Sequence, residues 1–183
     1  VVIVFLPFFL VYKTTHDAQL SLYWMGYSFI FLMLLTATVF FGVKKGSFVN
    51  MDVSKREQRP LLFAICAGFG FVYLFSLLIF HAPYLLILVT VGIMFGLLLV
   101  SFINKRIKAS IHVATLTALV LTVAVGYGGY FYLLLLLIPL VAWSRVQTKR
   151  HTMTEVLTGG MLGVFLSTTV YAAYVTIKVF LHK

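Results

Sequence analysis

The sequence predicts an all-α protein: a polytopic transmembrane helical bundle of about six to seven membrane segments, forming one domain over residues 1–183. Three observations predict it. Hydrophobic residues fill 62% of the 183 positions, and the mean hydropathy is +1.10, far from an ordinary soluble domain. The apolar residues fall in unbroken runs such as YLLLLLIPLVAW, where a β-barrel strand would alternate. The formal charge of +10 gathers in three short clusters between those runs. It is not spread along one face as a nucleic-acid footprint would be.

Taken in order, residues 1–12 are apolar but fewer than the ~20 helical residues a bilayer requires. They read as the remainder of a first membrane helix, shortened by processing or truncation. Residues 13–19 form a polar loop, and 22–43 a full span. The longest polar connection, 44–60, carries the turn-favouring Gly46, Asn50 and Asp52. Its SKREQR portion, from Ser54, suits a short surface helix ended or redirected by Pro60. Residues 61–80 span again, HAPY (81–84) turns with His81 in it, and 85–103 return. A second basic cluster, 104–110, precedes 112–125, the GYGGY turn and 131–143. After the polar stretch 144–155, residues 156–180 cross once more. Trp24, Tyr127, Tyr130 and Trp143 read as aromatic-belt residues. Cys66, the single cysteine, cannot form an internal disulfide.

Two spans separate each polar stretch from the next, so 44–60, 104–112 and 144–155 share one membrane face. Of the 14 Lys and Arg, that face holds Lys44, Lys45, Lys55, Arg56, Arg59, Lys105, Arg106, Lys108, Arg145, Lys149 and Arg150. Lys13, Lys178 and Lys183 lie on the other. By the positive-inside rule the basic face is expected in the cytoplasm. That rule explains the charge. It does not explain why His112 and His151 lie there too, or why Glu155 stands at the start of a membrane helix, where an ionisable group is costly without a partner.

The stretch SRVQTKRHTMTE (144–155) concentrates this chemistry. If it is helical, His151 and Glu155 share a face at i and i+4. A carboxylate can then hold one imidazole nitrogen and leave the other free as base or nucleophile.

These residues resemble the type 2 phosphatidic acid phosphatase (PAP2) superfamily over about residues 44–165. Its third motif, SR-x5-H-x3-D, is matched by Ser144, Arg145 and His151, with Glu155 in the place of Asp. Its second, PSGH, stands here as Ala109-Ser110-Ile111-His112. Of its first, K-x6-RP, Arg59 and Pro60 match, and Asp52 occupies the lysine position, with Lys55 or Arg56 as shifted substitutes. The resemblance implies a membrane lipid phosphatase acting on a phosphate monoester or diphosphate such as phosphatidate or a polyprenyl phosphate. It implies His151 as nucleophile, forming a phosphohistidine, His112 as general acid, and Glu155 orienting His151. Arg59, Arg145 and Ser110 would hold phosphate oxygens, with Lys55 and Ser144 as further candidates. No metal or other cofactor is required by this scheme, and its partners are the lipid phosphate and the surrounding membrane lipids.

Elementary chemistry agrees with the scheme. A phosphate dianion needs fixed donors, and the planar guanidinium fork supplies them. Phosphoryl transfer needs a nucleophile, charge stabilisation and an acid for the leaving oxygen. The departures are Ile for Gly at 111, Glu for Asp at 155 and Asp for Lys at 52. Plainer roles are open for each residue. Ser110 suits an N-cap, which is compatible with anion binding at a helix start. His112, His151, Arg59 and Arg145 suit headgroup-level anchors. The alternative function is a non-catalytic membrane protein of similar fold that binds anionic lipid headgroups. A transporter is disfavoured, since no span carries an acid or base at its centre and no inverted repeat is visible.

Overall fold

The computed structural model describes residues 2–53 and 55–181. Ser54 and Lys183, both named above, lie outside the described residues. Among the described residues seven α-helices run in order: α1 (Val2–Thr15), α2 (Ala18–Lys44), α3 (Arg59–Ile79), α4 (Tyr84–Ile103), α5 (Ile111–Tyr127), α6 (Leu137–Gln147) and α7 (Met153–Leu181). Short 3₁₀ segments, Arg56–Gln58 and Gly129–Leu136, precede α3 and α6. No strand occurs among the described residues. Among the described residues five helical stretches are long and apolar enough to cross a membrane: Ala18–Lys44, Arg56–Ile79, Tyr84–Ile103, Gly129–Gln147 and Met153–Phe180. Two shorter apolar helices, Val4–Thr15 and Ile111–Tyr127, accompany them. The chain is therefore a multi-pass membrane protein, as its apolar runs predict.

Local chemistry moves several expected boundaries. The 13–19 loop shrinks to two residues, because α1 continues to Thr15 and Asp17 already caps α2, its Oδ1 accepting the Leu20 N–H at 3.0 Å. The expected surface helix in SKREQR is a single 3₁₀ turn that runs straight into α3. Pro60 opens α3 rather than ending a helix, since proline in the first turn forfeits no intrahelical hydrogen bond. Where GYGGY was expected to turn, α5 continues to Tyr127. Gly128 and Gly129, at φ +70° and +54°, then reverse the chain as only glycine does readily. With 17 residues, α5 is short for a span. The return leg begins as a 3₁₀ segment, which rises about 2.0 Å per residue and so covers more depth than an α-helix of equal length.

The bundle is centred on α7. It packs most extensively on α5, backbone against backbone. A Cβ on Gly159 would lie 2.5 Å from the Ser110 carbonyl oxygen, and one on Gly163 2.5 Å from that of Ala114. Such small-residue seams are how membrane helices approach closely. On another side, Leu166 and Val170 of α7 fill the space over Gly96 and Gly92 of α4. The main core joins Leu77, Leu86, Val89, Leu119, Val120 and Val123 to Leu10, Val11 and Trp24. Trp24 is thus a core residue and not a belt residue, only 3% exposed beneath α1. Tyr130 and Trp143 do stand exposed at the surface. Outward apolar side chains such as Phe71, Phe75, Leu98 and Phe102 are the lipid-facing surface expected of such a protein.

Candidate functional site

Three connections meet at one end of the bundle, and specific hydrogen bonds tie them. Arg56 Nε donates to the Asn104 carbonyl at 2.7 Å. Buried Arg59 donates through Nη1 to Asn104 Oδ1 at 2.8 Å and to the Ala109 carbonyl at 3.2 Å. The start of α5 is tied to the first turn of α7, where the Ser110 N–H donates to the Glu155 carbonyl at 3.0 Å. The 44–60 connection joins them through Asp52, whose Oδ2 accepts from Arg145 Nη1 at 3.2 Å and from Arg150 Nη1 at 2.6 Å. The three polar stretches thus lie together at one end of the bundle.

Between these connections lies a pocket of about 110 Å³, lined by Met51, Asp52, Arg59, Leu62, Lys108, Ile111, His112, Arg145, Arg150 and His151. His112, His151, Arg59 and Arg145 thus converge as expected. Glu155 stands behind His151, its Oε2 2.9 Å from Nδ1. The route differs from a continuous helix. Helix α6 stops at Gln147, Lys149 takes a left-handed φ of +54°, and His151 lies in the turn before α7. The Arg150 and His151 N–H groups both fold back onto the Arg145 carbonyl, at 3.1 and 3.3 Å. Then α7 begins with a reciprocal cap. The Glu155 N–H donates to Thr152 Oγ1 at 3.3 Å, and the Thr152 N–H donates to Glu155 Oε2 at 3.2 Å. Glu155 therefore has two tasks, opening α7 and holding His151.

The side chain of His151 is only 7% exposed. Burial pushes its pKa down, and the hydrogen bond that its Nδ1–H donates to Glu155 opposes this. The downward cause is the larger, so the imidazole is neutral at neutral pH. With a carboxylate accepting at Nδ1, that nitrogen carries the proton and Nε2 keeps its lone pair. His112 is half-exposed, its Nε2 3.8 Å from Asp52 Oδ1.

Three expected phosphate ligands lie elsewhere. Lys55 and Ser144 are exposed and line no part of the pocket. Lys55 is itself the extended residue that caps the 3₁₀ turn, and Ser144 stands on the exposed side of α6. Ser110 does occupy the N-cap position of α5, but its hydroxyl makes no capping bond; Oγ is buried without a partner. Arg56, offered as a substitute for the first-motif lysine, is spent on Asn104. Arg59 lines the pocket while serving as a tie between connections. In place of the missing ligands the structure supplies Arg150 and Lys108. Arg150 belongs to the basic cluster at 149–151, yet its approach to Asp52 depends on the left-handed turn at Lys149. Among the described residues, no group of three or more His, Cys, Asp or Glu side chains gathers to hold a metal ion.

Comparison with protein-family models, with curated proteins and with solved structures gives no match to this chain.

Proposed function

We propose that this protein is an integral membrane lipid phosphatase, hydrolysing a phosphate monoester or diphosphate through a phosphohistidine on His151. The observation that carries the proposal is His151, held from behind by Glu155, on the wall of a pocket also lined by Arg145, Arg150 and His112. In this reading the two arginines hold the non-bridging oxygens. His151 Nε2 attacks phosphorus as the P–O bond to the leaving group breaks, and His112, which takes up a proton as the dianion binds beside it, gives that proton to the departing oxygen. Glu155 stabilises the imidazolium charge left on His151. In the second step His112, now neutral, takes a proton from water; the water oxygen bonds to phosphorus, the P–N bond breaks, and inorganic phosphate leaves.

A lipid substrate is favoured by what adjoins the pocket. Leu62 and Ile111 also line a cavity of about 290 Å³ between α3, α4, α5 and α7, otherwise walled mainly by apolar side chains such as Val89, Ile93 and Leu119. A headgroup in the charged pocket would leave hydrocarbon beside that cavity. The resemblance to the PAP2 superfamily adds to the reading through Ser144, Arg145, His151, Ser110, His112, Arg59 and Pro60. The second reading, a non-catalytic binder of anionic headgroups, needs only the cations that line the pocket, Arg59, Lys108, Arg145 and Arg150. Purified protein incubated with phosphatidate or a polyprenyl diphosphate, with chelator present, separates the two. Phosphate release is expected, and its absence with both substrates would reject hydrolysis.

We place the pocket-bearing face in the cytoplasm. Lys44, Lys45, Lys105 and Arg106 have no part in the proposed chemistry, and orientation is their most economical role. In a Cys66→Ala background, a cysteine introduced at Ser47 is expected to resist an impermeant thiol reagent applied to intact cells. Rapid labelling would put the face outside.

A further inference from the structure

The carboxylate of Asp52 stands where an anionic ligand would have to bind. Its Oδ2 takes one donor from Arg145 at 3.2 Å and one from Arg150 at 2.6 Å, and its Oδ1 lies 3.8 Å from His112 Nε2. A carboxylate oxygen accepts from two guanidinium donors much as a phosphate oxygen does. We infer that Asp52 is an internal anion, an intramolecular competitor that a phosphate group must displace to reach Arg145 and Arg150. This inference rests on the phosphate-binding reading of the pocket and adds its regulation.

The loop delivers Asp52 deliberately. On one side Phe48 is 2% exposed, so close beneath α2 that a Cβ on Gly42 would lie 2.6 Å from its ring. On the other, Val53 is fully buried with φ +43°, a left-handed conformation that a β-branched residue adopts only under constraint. The Val49 N–H is held by Gln58 Oε1 at 3.0 Å. Pinned on both sides, the chain cannot carry Asp52 far from the arginines. Yet the Asp52 side chain is 32% exposed and that of Arg150 45%. Ion pairs this open to water are individually weak, so an arriving dianion can replace one carboxylate. An aspartate at this position thus sets a concentration threshold for occupancy, where a lysine would have added attraction.

The test is binding of inorganic phosphate to purified, detergent-solubilised protein by calorimetry. Wild type is compared with Asp52→Asn, which keeps shape and loses charge, with Asp52→Ser, and with Asp52→Glu. Binding by Asp52→Asn or Asp52→Ser about tenfold tighter than wild type is expected, with Asp52→Glu as weak as wild type. Equal or weaker binding by the neutral variants would overturn the inference, as would undetectable binding throughout. If neither neutral variant folds, the inference is also overturned, because Asp52 would then be a structural counter-ion. The outcomes separate from those of the phosphatase reading. Tighter phosphate binding without turnover in any protein rejects hydrolysis alone; turnover with binding unaffected by Asp52 rejects the internal anion alone.

Discussion

Replacing His151 with alanine is expected to lower phosphate release by about a thousandfold or more, with KM for the lipid phosphate little changed. The separation follows from the division of labour in the pocket. Substrate affinity is assigned to Arg145 and Arg150, which hold charge in the ground state and the transition state alike. In the proposed mechanism His151 offers the lone pair to phosphorus through Nε2, its Nδ1 being engaged by Glu155 at 2.9 Å. A parallel His112→Ala variant should retain more rate, since water can protonate a leaving oxygen but cannot replace the covalent step. Full activity in purified His151→Ala protein would reject the mechanism.

Glu155→Gln is expected to cost about a hundredfold or more in kcat, again with little change in KM. The amide keeps an oxygen to accept from the Nδ1–H but no longer carries the charge that stabilises an imidazolium. Because Glu155 also takes part in the cap of α7, lost rate has two readings, and Thr152→Ala distinguishes them. That change removes the hydroxyl accepting the Glu155 N–H and leaves the His151 contact intact. It should cost about 1 kcal/mol of stability and leave kcat near wild type. If both variants lose rate alike while melting at lower temperature, the carboxylate serves the helix and the histidine claim fails. The burial that depresses His151 has its own consequence for stability. A histidine held neutral in the folded state contributes stability that is lost as pH falls below its ordinary value of about 6.5.

The membrane spans were legible because their signal is local and additive: apolar runs 22–43, 85–103 and 156–180 fall inside the observed helices, and 61–80 overruns α3 by one residue. The convergence of Arg59, His112, Arg145 and His151 was legible for a similar reason, since an even number of crossings between polar stretches returns the chain to one face. What sequence reading missed depended on single hydrogen bonds. The break between α6 and α7 was readable in Thr152-x-x-Glu155, a capping-box signature. The reading of 144–155 as a polar stretch between two spans left open where α7 starts, and the i, i+4 spacing of His151 and Glu155 was weighed only for the case that both are helical. Pro60 was read as a terminator, although proline suits a helix start equally well. The meeting of Asp52 with Arg145, 93 residues away, is a tertiary event that no periodicity reports. It depends on burying Phe48 and Val53 against Val39 of α2. Ser110 illustrates the opposite error: residue type and position both suggested a capping hydroxyl, but tight packing of α5 against Gly159 leaves Oγ buried without a partner.

The central claim is covalent: phosphorus is bonded to His151 during turnover. Wild-type protein mixed with phosphate-labelled lipid substrate and quenched in alkali within the first turnover, where a phosphoramidate survives, should carry label that proteolysis assigns to the peptide containing His151. His151→Ala protein should carry none. Phosphate released by the wild type with no labelled protein at any quench time, or with label on a peptide lacking His151, would contradict the account.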